Sequence, residues 1–174
     1  MTSVELWLEP LGLKHAAKLF AALNDDRVGL YIGGPDVTTI AELRDRILYL
    51  QSGPPQESNQ RWFNYAVLLN SQVVGRVEAT AHDGLVEIAY LIGPANWSKG
   101  IGSSATDLLL AELREQGELE FWATTHPGNL ASKAVLQKLG FTEVAPSMAP
   151  MLLSYDEGDL IFRLIETLPK KSVG

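Results

Sequence analysis

Residues 86–105, VEIAYLIGPANWSKGIGSSA, join a strand, a glycine loop and the start of a helix. VEIAYLI is apolar and rich in β-branched side chains, which predicts a buried strand. Gly93-Pro94 ends that strand, because proline donates no hydrogen bond to a ladder. Gly100 and Gly102 then allow a tight turn before the amphipathic helix SSATDLLLAELREQ. Free amides and the positive end of the helix dipole meet at such a turn, so the stretch predicts a phosphate-binding loop.

Two common nucleotide-binding motifs compete for this loop. The P-loop pattern G-x-x-x-x-G-K-[ST] is excluded, because Ile101 follows Gly100 where the pattern requires a lysine. The dinucleotide fingerprint G-x-G-x-x-A matches in letters from Gly100 to Ala105. That fingerprint follows the first strand of a parallel unit directly, whereas residues 93–99 intervene here. Dinucleotide binding is therefore the weaker alternative.

Composition limits the class of protein. A chain of 174 residues with 46% hydrophobic content predicts a single domain over residues 1–174 with a sizeable core. The net charge of −7 argues against a nucleic-acid partner and favours an amine-bearing one. The absence of cysteine excludes disulfides and thiolate catalysis, and the three scattered histidines predict no metal site. No apolar run reaches about 18 residues, so we expect a cytoplasmic protein without a membrane partner.

Periodicity predicts alternating strands and helices around one central sheet. Strands are expected at 4–9, 62–70, 72–82, 85–92, 118–126, 141–144 and 160–166, and helices at 12–23, 38–51, 103–116 and 129–140. The three central strands are joined by short turns and should pair antiparallel. A helix separates 85–92 from 118–126, so these two strands should run parallel. The predicted fold class is α/β (α+β), with a mixed, mostly antiparallel twisted sheet and about four helices.

Two sequence motifs carry a family resemblance. Residues 93–105, GPANWSKGIGSSA, resemble motif A of the GNAT superfamily of acetyl-CoA-dependent N-acetyltransferases, [QR]-x-x-G-x-[GA] before a helix. Residues 129–141, NLASKAVLQKLGF, resemble its N-x-x-[SA]-x-x-[VL]-x-x-K-x-G-F segment at the required spacing. Trp97 replaces the usual Gln or Arg, and tryptophan before S-K-G is usual in the RimJ/RimL-like branch. That branch modifies protein N-terminal amines and includes small-molecule acetyltransferases, and the resemblance covers nearly the whole chain.

The resemblance implies that acetyl-CoA is the cosubstrate and that no metal takes part. In such folds the parallel strands, here 85–92 and 118–126, splay apart and the pantetheine arm lies in the gap. Amides around Leu91 and Ile92 would hold the thioester oxygen as its charge develops. The remaining loop residues assigned to cofactor binding are Trp97, Ser98, Lys99, Gly100, Ile101, Gly102 and Ser103. For Ser103, helix capping is an equal alternative.

Asn129 and Ser132 lie three positions apart at a helix start and share one face. The resemblance implies that Asn129 contacts the pantetheine arm and that a residue of this helix protonates the departing thiolate. Many members use a tyrosine seven positions after the asparagine, where this chain has Leu136. The acid role then falls to Ser132 or to water. The alternative for Asn129 is a simple helix cap.

The incoming amine must lose a proton, and a carboxylate near the thioester can take it through water. Glu87 lies in the apolar strand 85–92, on the same face as Ala89, and is the predicted base if burial raises its pKa. The structural alternative is a pairing of Glu87 with Arg76. Glu78 is the second candidate base.

The predicted reaction is direct attack of a primary amine on acetyl-CoA in a ternary complex. The acceptor is a protein N-terminus or a small-molecule amine, in a pocket shaped by residues 24–35 and 146–159. The alternative is a non-catalytic acyl-CoA-binding sensor or interaction module, which the missing tyrosine permits. A homodimer is left open.

Overall fold

One seven-stranded sheet organises the chain. The computed structural model describes residues 5–166, so Val4, the first residue of the predicted N-terminal strand, lies outside the described residues. The strands are β1 (Leu6–Pro10), β2 (Arg61–Leu69), β3 (Gln72–His82), β4 (Leu85–Ile92), β5 (Glu120–Thr125), β6 (Thr142–Val144) and β7 (Leu160–Ile165). Their order across the sheet is β1-β2-β3-β4-β5-β7-β6.

Five α-helices lie within the described residues: α1 (Ala16–Leu23), α2 (Asp26–Gly29), α3 (Ile40–Gln51), α4 (Ile101–Glu115) and α5 (Leu130–Lys138). Four of them match the predicted helices. The additional one, α2, begins at Asp25, whose carboxylate accepts a hydrogen bond from the Arg27 amide. Over residues 5–166, no helix combines the length and the apolar character needed to cross a membrane.

Strand pairing is antiparallel everywhere except between β4 and β5. The predicted meander of β2, β3 and β4 and the predicted parallel pair are therefore confirmed. β4 and β5 pair through two positions only, Val86 with Phe121 and Glu87 with Trp122. Residues 88–92 of β4 have no partner on β5 within the described chain, so the two strands diverge towards their C-terminal ends. This divergence is the splay that the family resemblance implies.

The side chains of β4 alternate between two faces of the sheet. Val86, Ile88 and Ile92 pack with Leu109 and Leu113 of α4 in the main core. Burying this face against a long helix fixes the direction of α4 and aims its N-terminus at the end of β4.

The opposite face of β4 carries Glu87, Ala89 and Leu91. Leu91 packs against a second core that includes Leu19 of α1 and Ile47 of α3. Ala89 is exposed, so this face is open to solvent between that second core and the segment 145–159. We call this side of the sheet the open face.

Candidate active site

The loop between β4 and α4 closes over the C-terminal end of β4. The Trp97 indole donates a 2.6 Å hydrogen bond from Nε1 to the Ile92 carbonyl and fixes the start of the loop. Gly100 has φ of 76°, in the left-handed region that favours glycine. A Cβ at Gly100 would meet no atom within 4 Å. The loop therefore leaves open space in front of α4.

Free backbone amides face that space. The Ser104 amide bonds the Gly100 carbonyl at 3.0 Å. The amides of Lys99 to Ser103 bond no other group in residues 5–166, as expected for the first turn of a helix. Together with the dipole of α4 they form an anion cradle of the kind that holds a pyrophosphate. The Lys99 ammonium donates to the Ala95 carbonyl at 2.7 Å, which ties it back to the loop.

The other predicted loop residues point in different directions. Ile101 packs in the main core, and Ser103 is buried, so their backbones are what they present to a ligand. Ser98 is exposed, with φ of 58°. Gly102 faces inwards, because a Cβ there would lie 3.8 Å from Cε2 of Tyr90.

The free edge of β4 presents backbone groups to the gap. The Gly93 amide bonds the Val74 carbonyl of the segment that forms β3, at 2.8 Å. Hydrogen-bonding direction alternates along a strand, so the Leu91 amide also points to β3, while those of Tyr90 and Ile92 point to the gap. Of the two predicted amides, the Ile92 amide is therefore the one that faces the gap. The Leu91 amide faces β3 instead, and the Tyr90 amide faces the gap.

The N-terminus of α5 lies across the gap from Tyr90. Asn129 caps the helix, because its Oδ1 accepts a 3.0 Å hydrogen bond from the Ser132 amide. The Ser132 hydroxyl lies 2.9 Å from Oη of Tyr90. Leu136 is buried in the main core and does not face the gap. The sequence analysis assigns no role to Tyr90 and misses this contact, which joins residues 42 positions apart.

Burial raises the pKa of the Tyr90 phenol above its usual value, and the hydrogen bond with Ser132 offsets part of that effect. A phenol with a raised pKa stays protonated at neutral pH. The Tyr90–Ser132 pair therefore holds protons beside the gap.

Glu87 is buried and accepts four hydrogen bonds. Oε1 accepts from Nε2 of His82 and from the Leu153 amide, both at 2.6 Å. Oε2 accepts from the Ser154 amide at 2.9 Å and from the Ser154 hydroxyl at 2.5 Å. The alternative predicted from sequence, a pairing with Arg76, is wrong, because Arg76 bonds two other carboxylates. Glu87 ties the segment 145–159 to β4.

His82 completes this buried group. Burial alone would lower the pKa of His82, but hydrogen bonds to Asp83 and Glu87 outweigh that effect and raise it. Protonated His82 therefore strengthens the attachment of Glu87.

Glu78, the second candidate base, lies on the open face. It pairs across the strands with the exposed Ala89, and its side chain is 28% exposed. Arg76 donates to Glu78 through Nη1 and to Oδ1 of Asp36 through Nη2, the latter at 2.9 Å. Burial alone would raise the pKa of Asp36, but the charges of Arg76 and Arg46 outweigh it and lower that pKa.

Both segments predicted to shape the acceptor pocket reach the mouth of the gap. The Tyr31 ring lies 5.5 Å from that of His126, the residue after β5. On the other side, the Thr124 hydroxyl donates to the Ser154 carbonyl at 2.9 Å. Asp25, in the first of these segments, is held by Arg27, whose hydrogen bonds lower the pKa of Asp25 to about 2.

Residues 5–142 match the family described as acetyltransferase (GNAT) domain, which is well over half of the chain. The chain belongs to the GNAT acetyltransferase family. The predicted family and enzyme class, an acetyl-CoA-dependent N-acetyltransferase, are confirmed.

Solved structures share the GNAT fold. RimL, a ribosomal L7/L12 alpha-N-protein acetyltransferase solved with coenzyme A, is 20% identical over 95% of this chain and 96% of its own, with a TM-score of 0.73. The microcin C7 self-immunity acetyltransferase MccE, solved with acetyl-CoA and AMP, is 20% identical over 93% of both chains, at 0.75. PaiA N-acetyltransferase from Thermoplasma acidophilum, solved with coenzyme A, is 15% identical over 93% of this chain and 99% of its own, at 0.67. The curated proteins contain no significant match to this sequence.

The residues of this site fit the chemical groups of acetyl-CoA. The unbonded amides before α4 suit a pyrophosphate, and the unpaired edge of β4 suits the amides of a pantetheine arm. Within residues 5–166, no three His, Asp or Glu side chains are grouped to hold a metal ion.

Proposed function

We propose that this chain transfers an acetyl group from acetyl-CoA to a primary amine, by direct attack within a ternary complex. The observation that carries the proposal is the combination of unbonded amides at residues 99–103 with the gap between β4 and β5. The amides bind the phosphates, and the gap holds the acyl arm. Acetyl-CoA supplies the acetyl group in activated form, as a thioester.

The amine enters from the open face. That face exposes Ala89, which belongs to the unpaired part of β4, so an acceptor placed there reaches the gap without crossing a core. The net charge of −7 favours a cationic acceptor. RimL acts on a ribosomal protein, and a peptide N-terminus is one acceptor class that this chain should be tested with.

Proton removal from the amine is assigned to Glu78, through water. Glu87, the base predicted first, has four donors on its two oxygens and no free position for a substrate proton. Glu78 keeps Oε1 free of the described side chains and borders the exposed Ala89. Glu87 acts instead by holding the segment 152–154 against β4.

The remaining roles follow from position. The Ile92 amide points to the gap and stabilises the negative charge that develops on the thioester oxygen. Ser132, fixed on the first turn of α5, donates a proton to the departing sulfur. Asn129 holds that turn in place.

The test is turnover on a panel of primary amines. The panel contains a peptide N-terminus, an aromatic monoamine, a polyamine and an aminoglycoside, each with acetyl-CoA. Released thiol can be read with a thiol reagent without background, because the chain has no cysteine. Mass spectrometry then identifies the acetylated amine. We expect thiol release that requires an amine. Acetyl-CoA binding without release on any amine would favour the sensor alternative.

A further inference from the structure

A hydrogen bond spans the gap between the two diverging strands. Tyr90 belongs to the part of β4 that has no partner on β5, and Ser132 lies on the helix that follows β5. Oη of Tyr90 lies 2.9 Å from Ser132 Oγ and 3.4 Å from the Ser132 carbonyl oxygen. The contact therefore joins the unpaired part of β4 to the N-terminus of α5.

The Tyr90 ring is held in one place by packing. It packs against the main core, and Gly102 at the start of α4 lies close to its Cε2 edge. Val135 of α5 borders the same point, because a Cβ at Gly102 would also lie 3.9 Å from its Cγ2. The ring therefore lies close to the start of α4, with its hydroxyl on Ser132 of α5.

α5 offers Ser132 as its acid near the gap. Leu136, one turn further along, is buried in the core and carries no proton to give. A serine hydroxyl by itself is a weak acid, far weaker than a phenol, which ionises near pH 10. A phenol in contact with the serine replaces the proton that the serine gives up.

We propose that Tyr90 is the proton source behind Ser132, a positioning residue that orients the serine hydroxyl and replaces the proton it gives. Donation from Tyr90 Oη to Ser132 Oγ leaves the serine proton free to point into the gap. This inference rests on the proposed acetyl transfer. Because burial raises its pKa, Tyr90 keeps its proton until the reaction needs it.

The amine nitrogen bonds to the thioester carbon, the carbon–sulfur bond breaks, and its electron pair goes to sulfur. Sulfur takes the proton of Ser132 Oγ while Oγ takes the proton of Tyr90 Oη. Tyr90 recovers a proton from water after product release, and the proton lost by the amine leaves on the Glu78 side of the sheet.

The experiment compares Tyr90→Phe, Ser132→Ala and the double variant on a confirmed amine. Ser132→Ala leaves the α5 cap intact, because Asn129 bonds the backbone amide of Ser132. The matched control is Tyr65→Phe, since Tyr65 of β2 is also half-buried against the main core but lies two strands from the gap. We measure kcat, KM for acetyl-CoA, CoA affinity and the melting temperature of each variant.

If Tyr90 acts through Ser132, the effects of the two substitutions on kcat should not combine in the double variant. Ser132→Ala should lower kcat by about 100-fold and Tyr90→Phe by about 10- to 100-fold, and the double variant should match Ser132→Ala. KM for acetyl-CoA and CoA affinity should stay unchanged, and Tyr65→Phe should behave as wild type. Unchanged kcat in Tyr90→Phe, losses that multiply in the double variant, or a loss confined to KM would each overturn the proposal.

A second readout does not depend on turnover. The sequence contains five tyrosines, and the ring-carbon NMR signal that is missing from the spectrum of Tyr90→Phe belongs to Tyr90. That signal should move in Ser132→Ala, because the phenol loses its partner, and a fixed signal would contradict the contact. If wild type releases no thiol with any amine, the proposed function fails; if wild type turns over and Tyr90→Phe matches it, this inference alone fails.

Discussion

The Glu87 carboxylate accepts a 2.5 Å hydrogen bond from the Ser154 hydroxyl, although the two residues are 67 positions apart. Ser154 belongs to the segment before the last strand, which forms one wall of the open face. The same carboxylate also accepts hydrogen bonds from His82 and from two backbone amides. Glu87 is therefore a structural anchor for the acceptor side of the site.

Glu87→Gln should destabilise the protein by about 3 kcal/mol, because it removes one partner of a buried, hydrogen-bonded charge pair. In Glu87→Gln, the new side-chain NH2 group also faces the groups that donate hydrogen bonds to Glu87, so donors meet without an acceptor. Ser154→Ala, the milder variant, should cost about 1 kcal/mol, since Glu87 keeps its other donors. Urea denaturation measures both values. Equal stability of Glu87→Gln and wild type would contradict the anchor role.

Glu78→Gln and Glu87→Gln should differ in their pH–rate profiles. If Glu78 takes the amine proton, Glu78→Gln lowers the rate at neutral pH, and high pH restores part of it because free amine becomes abundant. Glu87→Gln should show no such recovery. Steady-state rates on a confirmed amine, with CoA affinity checked for each variant, give the comparison. If high pH restored the rate of Glu87→Gln and not that of Glu78→Gln, Glu87 would be the base.

His82 should make the stability of the protein depend on pH. Its folded pKa is raised above the usual value near 6.5, because bonds to Asp83 and Glu87 outweigh the opposing effect of burial. The stabilisation is then complete below about pH 6.5 and is lost as pH rises through the folded pKa. The difference in unfolding free energy between wild type and His82→Gln should be larger at about pH 6 than at about pH 9. The control is His126→Gln, at an exposed histidine; a His82 difference that grows with pH would refute the account.

Most of the fold follows from local signals in the sequence. β2, β3 and β4 are separated by short turns, and the helix between β4 and β5 requires a parallel pair. α2 escapes prediction because four residues are too few to show a helical period. The splay of β4 and β5 has no signature in composition or spacing, and it came from the family resemblance.

The site is harder to predict, because its contacts join distant positions. Asn129 and Ser132 share one helical turn, so their spacing predicts a common face. Tyr90 and Ser132 are 42 positions apart and meet because the two strands diverge. The role of Glu87 depends on a segment beyond position 150 that has no regular structure, so no pattern near Glu87 indicates it.

Calorimetric titration of the apo protein with acetyl-CoA shows whether the loop before α4 binds the pyrophosphate. We compare wild type, Gly100→Val and Gly117→Val. Both glycines have positive φ and open surroundings, and they lie at opposite ends of α4, so the backbone strain is matched. We expect one-to-one binding of acetyl-CoA to wild type and Gly117→Val, loss of binding in Gly100→Val, and no binding of NADH. Equal binding by Gly100→Val and Gly117→Val, or no binding to wild type, would contradict pyrophosphate binding at this loop.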